Sequence, residues 1–348
     1  MDDITNDYTP KETIKYVDIC CGLGWGDEAK GKIVAGLANR YNYVCRWSGG
    51  SNAGHTVYID EKKYKTHLIP CGVFSKVKSI IGPDCVLNLK KFKEEIKYLT
   101  DNGFDTSVVK ISPKTHIVTE EHIDEDIKTL KKTQGSTAQG IGPCYSTKYA
   151  RKGLQAKDVE ELKDYMWDGE LRGKILCEGA QGYWLDINAG KYPYTTSSCT
   201  LPYGACSLGF SHQHIRKVYG AIKIYDTRSG FDPLFPESLM DDPELKLLGE
   251  LGNEYGVTTG RKRIVNWLNL DLLAIATRET GTTHLVISKV DIIEQLNIFK
   301  VISNSKIVEL KNIDEMRDYI CMKLSVECPF MVNIAFLYYP FIKNSFEL

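Results

Sequence analysis

The chain has 348 residues, enough for one large domain or two ordinary ones, and a formal net charge of −1 at pH 7. This balance gives no overall electrostatic field for a nucleic acid or an anionic membrane, so we expect neither as a partner. Eleven cysteines, no Cys-x-x-Cys pair and a polar, acidic start at residues 1–10 favour a reduced, cytoplasmic protein.

β-rich runs alternate with helical patterns along the chain. An apolar run at residues 16–21 leads into a glycine-rich turn and a helical stretch at 33–38. Further strand-like runs lie at residues 43–47, 79–81, 108–111, 174–177, 218–225 and 284–288, with helical patterns at 89–99, 121–132 and 268–279. This alternation predicts an α/β fold with a mainly parallel central sheet flanked by helices. We expect a single domain over residues 1–348, and a buried strand in the apolar run 331–342, which is too short to span a bilayer.

The most informative motif is the glycine-rich turn at residues 22–32. Its position between a strand and a helix suits an anion, because glycines let the backbone approach a phosphate and the helix N-terminus adds positive potential. From Gly26 it reads G-x-x-x-x-G-K, as in a P-loop-like nucleotide-binding architecture. Ile33 stands where a Ser or Thr would hold Mg²⁺, so Asp27 inside the loop is the candidate ligand for a metal. A turn that binds nothing is the alternative.

A second glycine-rich loop, residues 48–56, follows the next strand-like run. His55 in this loop can donate a proton or a hydrogen bond to a developing oxyanion. A lone histidine is more often structural. Its neighbours Gly54 and Thr56, together with the first loop, favour a functional role.

Five further segments carry polar side chains suited to a nucleotide. The segment 133–151 combines hydroxyls with Arg151, which suits a phosphomonoester. Gln181 lies between glycines, and residues 192–198 are rich in Thr and Ser. The basic loop 257–263 can clamp a small dicarboxylate or a phosphate, and Asp291 in a Lys-x-Asp tripeptide can accept from guanine. Each is weak alone, and a capped surface loop or turn remains the alternative reading.

Together and in this order, over residues 16–291, these motifs resemble the adenylosuccinate synthetase family. Members of that family are ligases that join IMP and L-aspartate with hydrolysis of GTP, which gives adenylosuccinate, GDP and phosphate. The reaction passes through a 6-phosphoryl-IMP intermediate. The resemblance implies Mg²⁺ as cofactor and a homodimer in which Arg151 crosses the interface. It also implies that Asp27 is the general base and a metal ligand, that His55 is the acid, and that the Gly54 carbonyl binds Mg²⁺.

The resemblance also implies three sets of binding residues. The GTP contacts are Gly26, Asp27, Glu28, Ala29, Lys30, Gly31, Lys32, Gly54, His55, Thr56, Arg263, Lys289, Val290 and Asp291. The IMP contacts are Asp27, Glu28, Ala29, Lys30, Asn52, Ala53, Gly54, His55, Thr137, Arg151, Gln181, Thr196 and Arg261. The aspartate contacts are Val257, Thr258, Thr259, Gly260, Arg261, Lys262 and Arg263.

The chain departs from the family pattern in three places. The segment between Arg151 and Lys174 is short, which indicates a short-form synthetase. Residues 225–236 differ from the usual Thr-Thr-Arg-Val-Gly-x-Gly-Pro pattern beside the ribose. The C-terminal Ser/Thr-x-Gly-Pro element near the guanine pocket is missing. These changes bear on the choice among purine nucleotides and between GTP and ATP.

Three other functions remain open on the sequence. The first is the viral-type synthetase that joins aspartate to dGMP, although many of its members replace the phosphate-loop Asp that is present here as Asp27. The second is a GTP-binding protein without ligase activity, which leaves His55 and Gln181 unexplained. The third is an enzyme of the same fold that has lost its activity.

Overall fold

A computed structural model describes residues 13–131, 136–256 and 260–338. Its strands are β1 (Ile14–Gly22), β2 (Tyr43–Arg46), β3 (His55–Ile59), β4 (Lys62–Thr66), β5 (Lys78–Ile81), β6 (Val86–Leu87), β7 (Val109–Ile111), β8 (His116–Ile117), β9 (Gly173–Glu178), β10 (Ile215–Lys223), β11 (Tyr225–Arg228), β12 (Ile264–Asn269), β13 (His284–Ser288), β14 (Phe299–Ser303), β15 (Lys306–Leu310) and β16 (Asn333–Phe336). Its α-helices are α1 (Lys30–Leu37), α2 (Leu89–Asp101), α3 (Glu120–Lys128), α4 (Ile141–Tyr149), α5 (Pro243–Leu251), α6 (Leu270–Thr280), α7 (Val290–Leu296) and α8 (Ile313–Glu327).

An eight-stranded sheet forms the centre of the structure. Its order is β16-β13-β10-β1-β9-β2-β5-β7, and every neighbouring pair is parallel. The central strands are apolar along most of their length because helices and loops cover both faces; all five residues of β13 are buried. The predicted α/β fold with a mainly parallel sheet is therefore confirmed.

The predicted elements lie where the sequence patterns place them, with one correction. Each of the six strand-like runs contains a strand, and the three helical patterns overlap α2, α3 and α6. In the run 331–342, which was predicted to be a buried strand, the structure has β16, an edge strand whose first residue is exposed and whose other residues are half-buried. An edge strand has a neighbour on one side only, which explains its incomplete burial. Residues 339–342 lie outside the described part of the chain. Among the helices in the described ranges, none combines the length and the apolar character that a bilayer span requires.

Three smaller sheets lie beside the central one. β11, β12, β14 and β15 form a four-stranded sheet, β6 pairs with β8, and β3 and β4 form an antiparallel hairpin. The loops that follow β1, β2, β9 and β10 all leave the carboxyl edge of the central sheet. In a parallel sheet this edge is where ligands collect.

Candidate functional site

One cavity of about 650 Å³ lies at the carboxyl edge of the central sheet. Its volume is within the range of small-molecule sites. Eighteen of the sequence-predicted site residues line it: Gly26, Asp27, Glu28, Ala29, Lys30, Gly31, Lys32, Asn52, Ala53, Gly54, His55, Thr56, Thr137, Gln181, Thr196, Gly260, Arg263 and Lys289. The lining contains eight Lys and Arg side chains but only three Asp and Glu side chains, so it favours an anionic ligand.

Other predicted site residues lie away from the cavity lining or outside the described residues. Arg151, Arg261 and Lys262 are exposed, and Val290 is buried at the start of α7 with Asp291 next to it. Val257, Thr258 and Thr259 are outside the described part of the chain.

The phosphate loop joins β1 to α1 through three residues with positive φ. These are Gly26 (93°), Asp27 (62°) and Ala29 (74°), of which the last two are in a conformation that non-glycine residues rarely adopt. Helix α1 has no side-chain N-cap and no acidic residue in its first turn. The N-terminus of α1 therefore lines the cavity without a side-chain cap on its N–H groups.

Glu28 holds the phosphate loop from beneath. Its carboxylate is buried, accepts hydrogen bonds from the backbone N–H groups of Gly24 (3.2 Å) and Gly26 (2.7 Å), and forms an ion pair with Lys30. A Cβ atom at Gly182 would lie 2.4 Å from a carboxylate oxygen of Glu28, so only glycine fits there. Glu28 and Lys30 thus neutralise each other in this structure.

Asp27 forms an ion pair across the cavity. Its Oδ2 accepts from Nη2 of Arg263 at 2.6 Å, and Nη1 of the same guanidinium donates to Glu254 at 2.5 Å. The buried Glu254 carboxylate also accepts from Nζ of Lys223 (2.8 Å) and from the hydroxyl of Tyr225 (2.7 Å). Although burial alone raises the pKa of Glu254, the surrounding Lys and Arg charges lower it to about 2. Glu254 is therefore the ionised centre of a basic cluster.

His55 is oriented by Glu178, which lies at the end of β9. Nδ1 of His55 contacts Oε1 of Glu178, while Oε2 of Glu178 accepts from the backbone N–H of Cys71 at 2.7 Å. Because a carboxylate oxygen only accepts, Nδ1 carries the proton in this contact, and Nε2 is left for a ligand. Burial lowers the pKa of His55, and Glu178 opposes that shift. A Cβ at Gly31 would lie 2.6 Å from Cβ of His55, so this glycine lets α1 approach the ring.

Glu178 is itself held by a buried guanidinium. Nη1 of Arg46 lies 3.8 Å from Oε1 of Glu178, and neither side chain is exposed. Burial raises the pKa of Glu178, but the charges of His55 and Arg46 hold it below its usual value. The result is a buried carboxylate that remains ionised behind the His55 ring.

Two sets of side chains bear on a metal site. Among the residues that the structure describes, His55, Cys71 and Glu178 form one buried group of possible ligand atoms, but this nitrogen, sulfur and oxygen set does not suit Mg²⁺. Asp27 does suit it: its side chain is 31% exposed, lines the cavity and offers hard carboxylate oxygens beside the site for phosphates. Asp27 therefore fits the implied cation, with the Gly54 backbone also at the cavity wall.

Sequence reasoning missed several residues of this site, among them Glu178, Lys223 and Glu254. Glu178 and Lys223 each end a buried strand of the parallel sheet, and a charged residue at that position is a usable signal. Glu254 follows α5 in a loop and has no local sequence signal. Its role depends on Lys223 and Arg263, which are distant in sequence.

Comparison with known proteins assigns the chain to a family. The family model described as adenylosuccinate synthetase matches residues 19–168 and 159–319. The chain belongs to the adenylosuccinate synthetase family. The adenylosuccinate synthetase of Lysinibacillus sphaericus is 34% identical, with 81% of this chain and 79% of that protein covered. That of Thermodesulfovibrio yellowstonii is 37% identical with the same coverage.

Two solved structures share the fold. The fully ligated adenylosuccinate synthetase from Plasmodium falciparum superposes with a TM-score of 0.74 at 30% identity and covers 87% of this chain and 86% of that one. The succinoaminodeoxyadenylate synthetase of cyanophage S-2L, bound to dGMP and dATP, gives a TM-score of 0.67 at 20% identity. It covers 89% of this chain and 99% of its own. At that identity the second likeness concerns the fold alone.

Proposed function

We propose that this protein is a GTP-dependent ligase that joins IMP and L-aspartate to form adenylosuccinate, GDP and phosphate. The observation that carries the proposal is that Asp27 on the phosphate loop and His55, backed by Glu178, line one strongly basic cavity. Membership in the adenylosuccinate synthetase family supports the reaction. The eleven cysteines are all unpaired, which agrees with a protein of the reducing cytoplasm.

Asp27 serves as the general base. The O6 of a purine leaves only after phosphorylation, and removal of the N1 proton makes O6 nucleophilic toward the γ-phosphate of GTP. A carboxylate that lines the cavity can take that proton once the nucleotide displaces Arg263 from Oδ2. The guanidinium that is released then faces the phosphates, which it can bind in a charge-assisted contact.

His55 stabilises the charge that develops on the transferred phosphoryl group and on O6. It can donate from Nε2 only when both ring nitrogens carry protons, because Nδ1 already donates to Glu178. The Glu178 carboxylate favours this doubly protonated ring, and anionic phosphates in the cavity favour it further. Phosphate then leaves as the amine of aspartate attacks C6.

Mg²⁺ would neutralise charge on the phosphates, held by the carboxylate of Asp27 and the backbone carbonyl of Gly54. The carboxylate is available to a cation because only one of its oxygens has Arg263 as a hydrogen-bond donor. We infer that GTP binds along the phosphate loop and Lys289, IMP near Gln181 and Thr196, and aspartate near the loop 257–263.

Arg151 belongs to the proposed homodimer. It lies just after α4 with φ of 62° and is exposed, outside the lining of the cavity. An arginine in this position can reach the IMP phosphate of a second copy rather than its own. The dimer would therefore complete two nucleotide sites at once.

The alternative acceptor dGMP should be compared directly with IMP, because the segment 225–236, which includes β11, differs from the usual family pattern. Asp232, in place of a glycine in the usual family pattern, is buried and accepts from Nε1 of Trp25 at 3.1 Å in the phosphate loop. This contact holds Trp25, which lines the cavity together with Asp27. We therefore retain IMP as the acceptor.

The test is an absorbance assay for succinylated product with IMP or dGMP as acceptor and GTP or ATP as donor. We expect turnover with IMP, aspartate and GTP, and transfer of an ¹⁸O label from O6 of IMP to the released phosphate. A marked preference for dGMP, or label retained in the purine, would overturn the proposal. Nucleotide binding that IMP and aspartate do not affect would favour a GTP-binding protein without ligase activity.

A further inference from the structure

The β3–β4 hairpin has one face in the core and one face at the cavity. Side chains alternate along each strand. Val57 is buried on the inner face, and Tyr64 of β4 packs there with its ring centroid 4.8 Å from that of Phe104 and 6.1 Å from that of Phe74. These contacts fix the hairpin and determine which side chains point the other way.

The outer face carries four residues in two cross-strand pairs. Thr56 pairs with Lys65, and Tyr58 pairs with Lys63, in the antiparallel register. All four line the cavity. Of these, only Thr56 follows from the family motifs described above. The hairpin thus adds two lysines to the cavity wall next to the phosphate loop.

These lysines have no ion-pair partner within the described residues, whereas the acids of the cavity lining are already paired. Asp27 binds Arg263, Glu28 binds Lys30, and Glu254 binds Lys223 as well as Arg263. Nearby, Nζ of Lys32 lies 5.1 Å from the centroid of the Tyr58 ring. Lys63 and Lys65 therefore add positive charge beside Lys32, and each carboxylate in the lining already has a basic partner.

Burial has the largest effect on the pKa of Lys32, and the neighbouring cations add to it. Burial and the positive charges of Lys289 and Lys63 lower the pKa of Lys32 to about 8, against the opposing effect of Asp291. Such a concentration of like charge is relieved by an anion with several negative groups. A polyphosphate is the ligand chemistry that fits, because a single monoanion cannot contact lysines from three separate elements.

We propose that Lys63 and Lys65 bind the phosphate chain of the nucleoside triphosphate, so that the β3–β4 hairpin is a further triphosphate-binding element. The inference rests on the proposed function, since it takes GTP as that triphosphate. Lys63 and Lys65 act together with Lys32 and Lys289, the two cations expected at GTP. Neither Lys63 nor Lys65 is among the residues expected at the acceptor purine or at aspartate.

The test compares the double variant Lys63→Gln/Lys65→Gln with the matched control Lys62→Gln. Lys62 is on the same strand but on the face that carries Tyr64, and it does not line the cavity. We expect the double variant to raise KM for GTP and Kd for GTP roughly tenfold, with KM for IMP within about twofold. The difference from wild type should shrink at high salt, because the contacts are solvent-exposed. The control should behave as wild type.

Three results would overturn the inference: an unchanged GTP affinity in the double variant, an equal loss in Lys62→Gln, or a rise in KM for IMP of the same size. Binding of GTP, measured by calorimetry without turnover, separates this inference from the proposed function. A wild-type chain that binds GTP through these lysines but forms no succinylated product would contradict the proposed ligase and leave the hairpin assignment intact.

Discussion

Arg263 connects the buried Glu254 to Asp27 through the two terminal nitrogens of one guanidinium. The distances are 2.5 Å from Nη1 to Glu254 and 2.6 Å from Nη2 to Asp27, although Asp27 and Arg263 are 236 residues apart in sequence. Because Glu254 holds the guanidinium, Arg263 stays beside the cavity whether or not it contacts Asp27. A nucleotide or a cation that binds Asp27 must therefore compete with Arg263 for its carboxylate.

Glu254→Gln should destabilise the fold by about 3–5 kcal/mol at pH 7, because Lys223 and Arg263 would lose their buried anion. The pKa of Glu254 is about 2, below its ordinary value, so its stabilising effect is complete above pH 4.5 and is lost as the pH falls toward 2. Urea unfolding should show a gap between wild type and variant that is full at pH 7 and smaller at pH 3.5. The exposed Glu250→Gln serves as control; a gap that did not depend on pH would contradict this role.

Glu178→Gln should lower kcat about a hundredfold with KM for IMP and GTP nearly unchanged. The amide can still accept from the backbone N–H of Cys71, so the fold is retained, but it no longer stabilises the protonated ring of His55. The alkaline limb of the kcat profile should move to lower pH, because loss of the carboxylate lowers the pKa of His55 further. Steady-state kinetics across pH measure both effects. A change confined to KM would contradict the positioning role.

Asp226→Asn should stabilise the protein above neutral pH. Burial raises the pKa of Asp226 to about 7, so the folded state holds a proton that the unfolded chain releases near pH 4. In wild type this contribution is present below pH 4 and is lost as the pH rises through 7. The asparagine keeps an acceptor for the backbone N–H of Asn269. Thermal unfolding measures the stability of the variant relative to wild type at pH 5 and at pH 8, and we expect this difference to be larger at pH 8 by a few kcal/mol. A difference that is the same at both pH values would argue against a buried, protonated Asp226.

Arg261→Leu should weaken IMP binding. We expect KM for IMP to rise roughly thirtyfold, equivalent to about 2 kcal/mol, if the guanidinium contacts the bound nucleotide. Its neighbour Lys262 is also exposed and is expected at aspartate, so Lys262→Gln is the control that should leave the KM for IMP unchanged. Initial-rate measurements over a range of IMP concentrations test this, and an unchanged KM would reject the assignment of Arg261.

The sequence predicted the sheet and the phosphate loop because both depend on local patterns. An apolar run, glycines and a helical stretch in that order specify β1, the turn at Gly26 and α1. The second loop was found in the same way, since His55 directly follows Gly54. In both loops the residues that form the signal are neighbours in the sequence.

The charge network was not predictable, because it depends on packing between distant segments. Glu254 becomes functional only where β10 brings Lys223 and the start of β12 brings Arg263 to it. Likewise, Glu178 reads as the last residue of an ordinary strand until it meets His55. The two lysines of the hairpin read as solvated surface until the register with Tyr58 places them at the cavity.

The most direct measurement is the rate of succinylated product formation by Asp27→Asn with IMP, aspartate, GTP and Mg²⁺ at saturating concentrations. Asparagine keeps the size and can still accept from Arg263, but it cannot take a proton from the purine and is a poorer ligand for a divalent cation. We expect a loss in kcat of about a thousandfold or more, with thermal unfolding close to wild type. A variant that turned over within about tenfold of wild type would contradict Asp27 as the base.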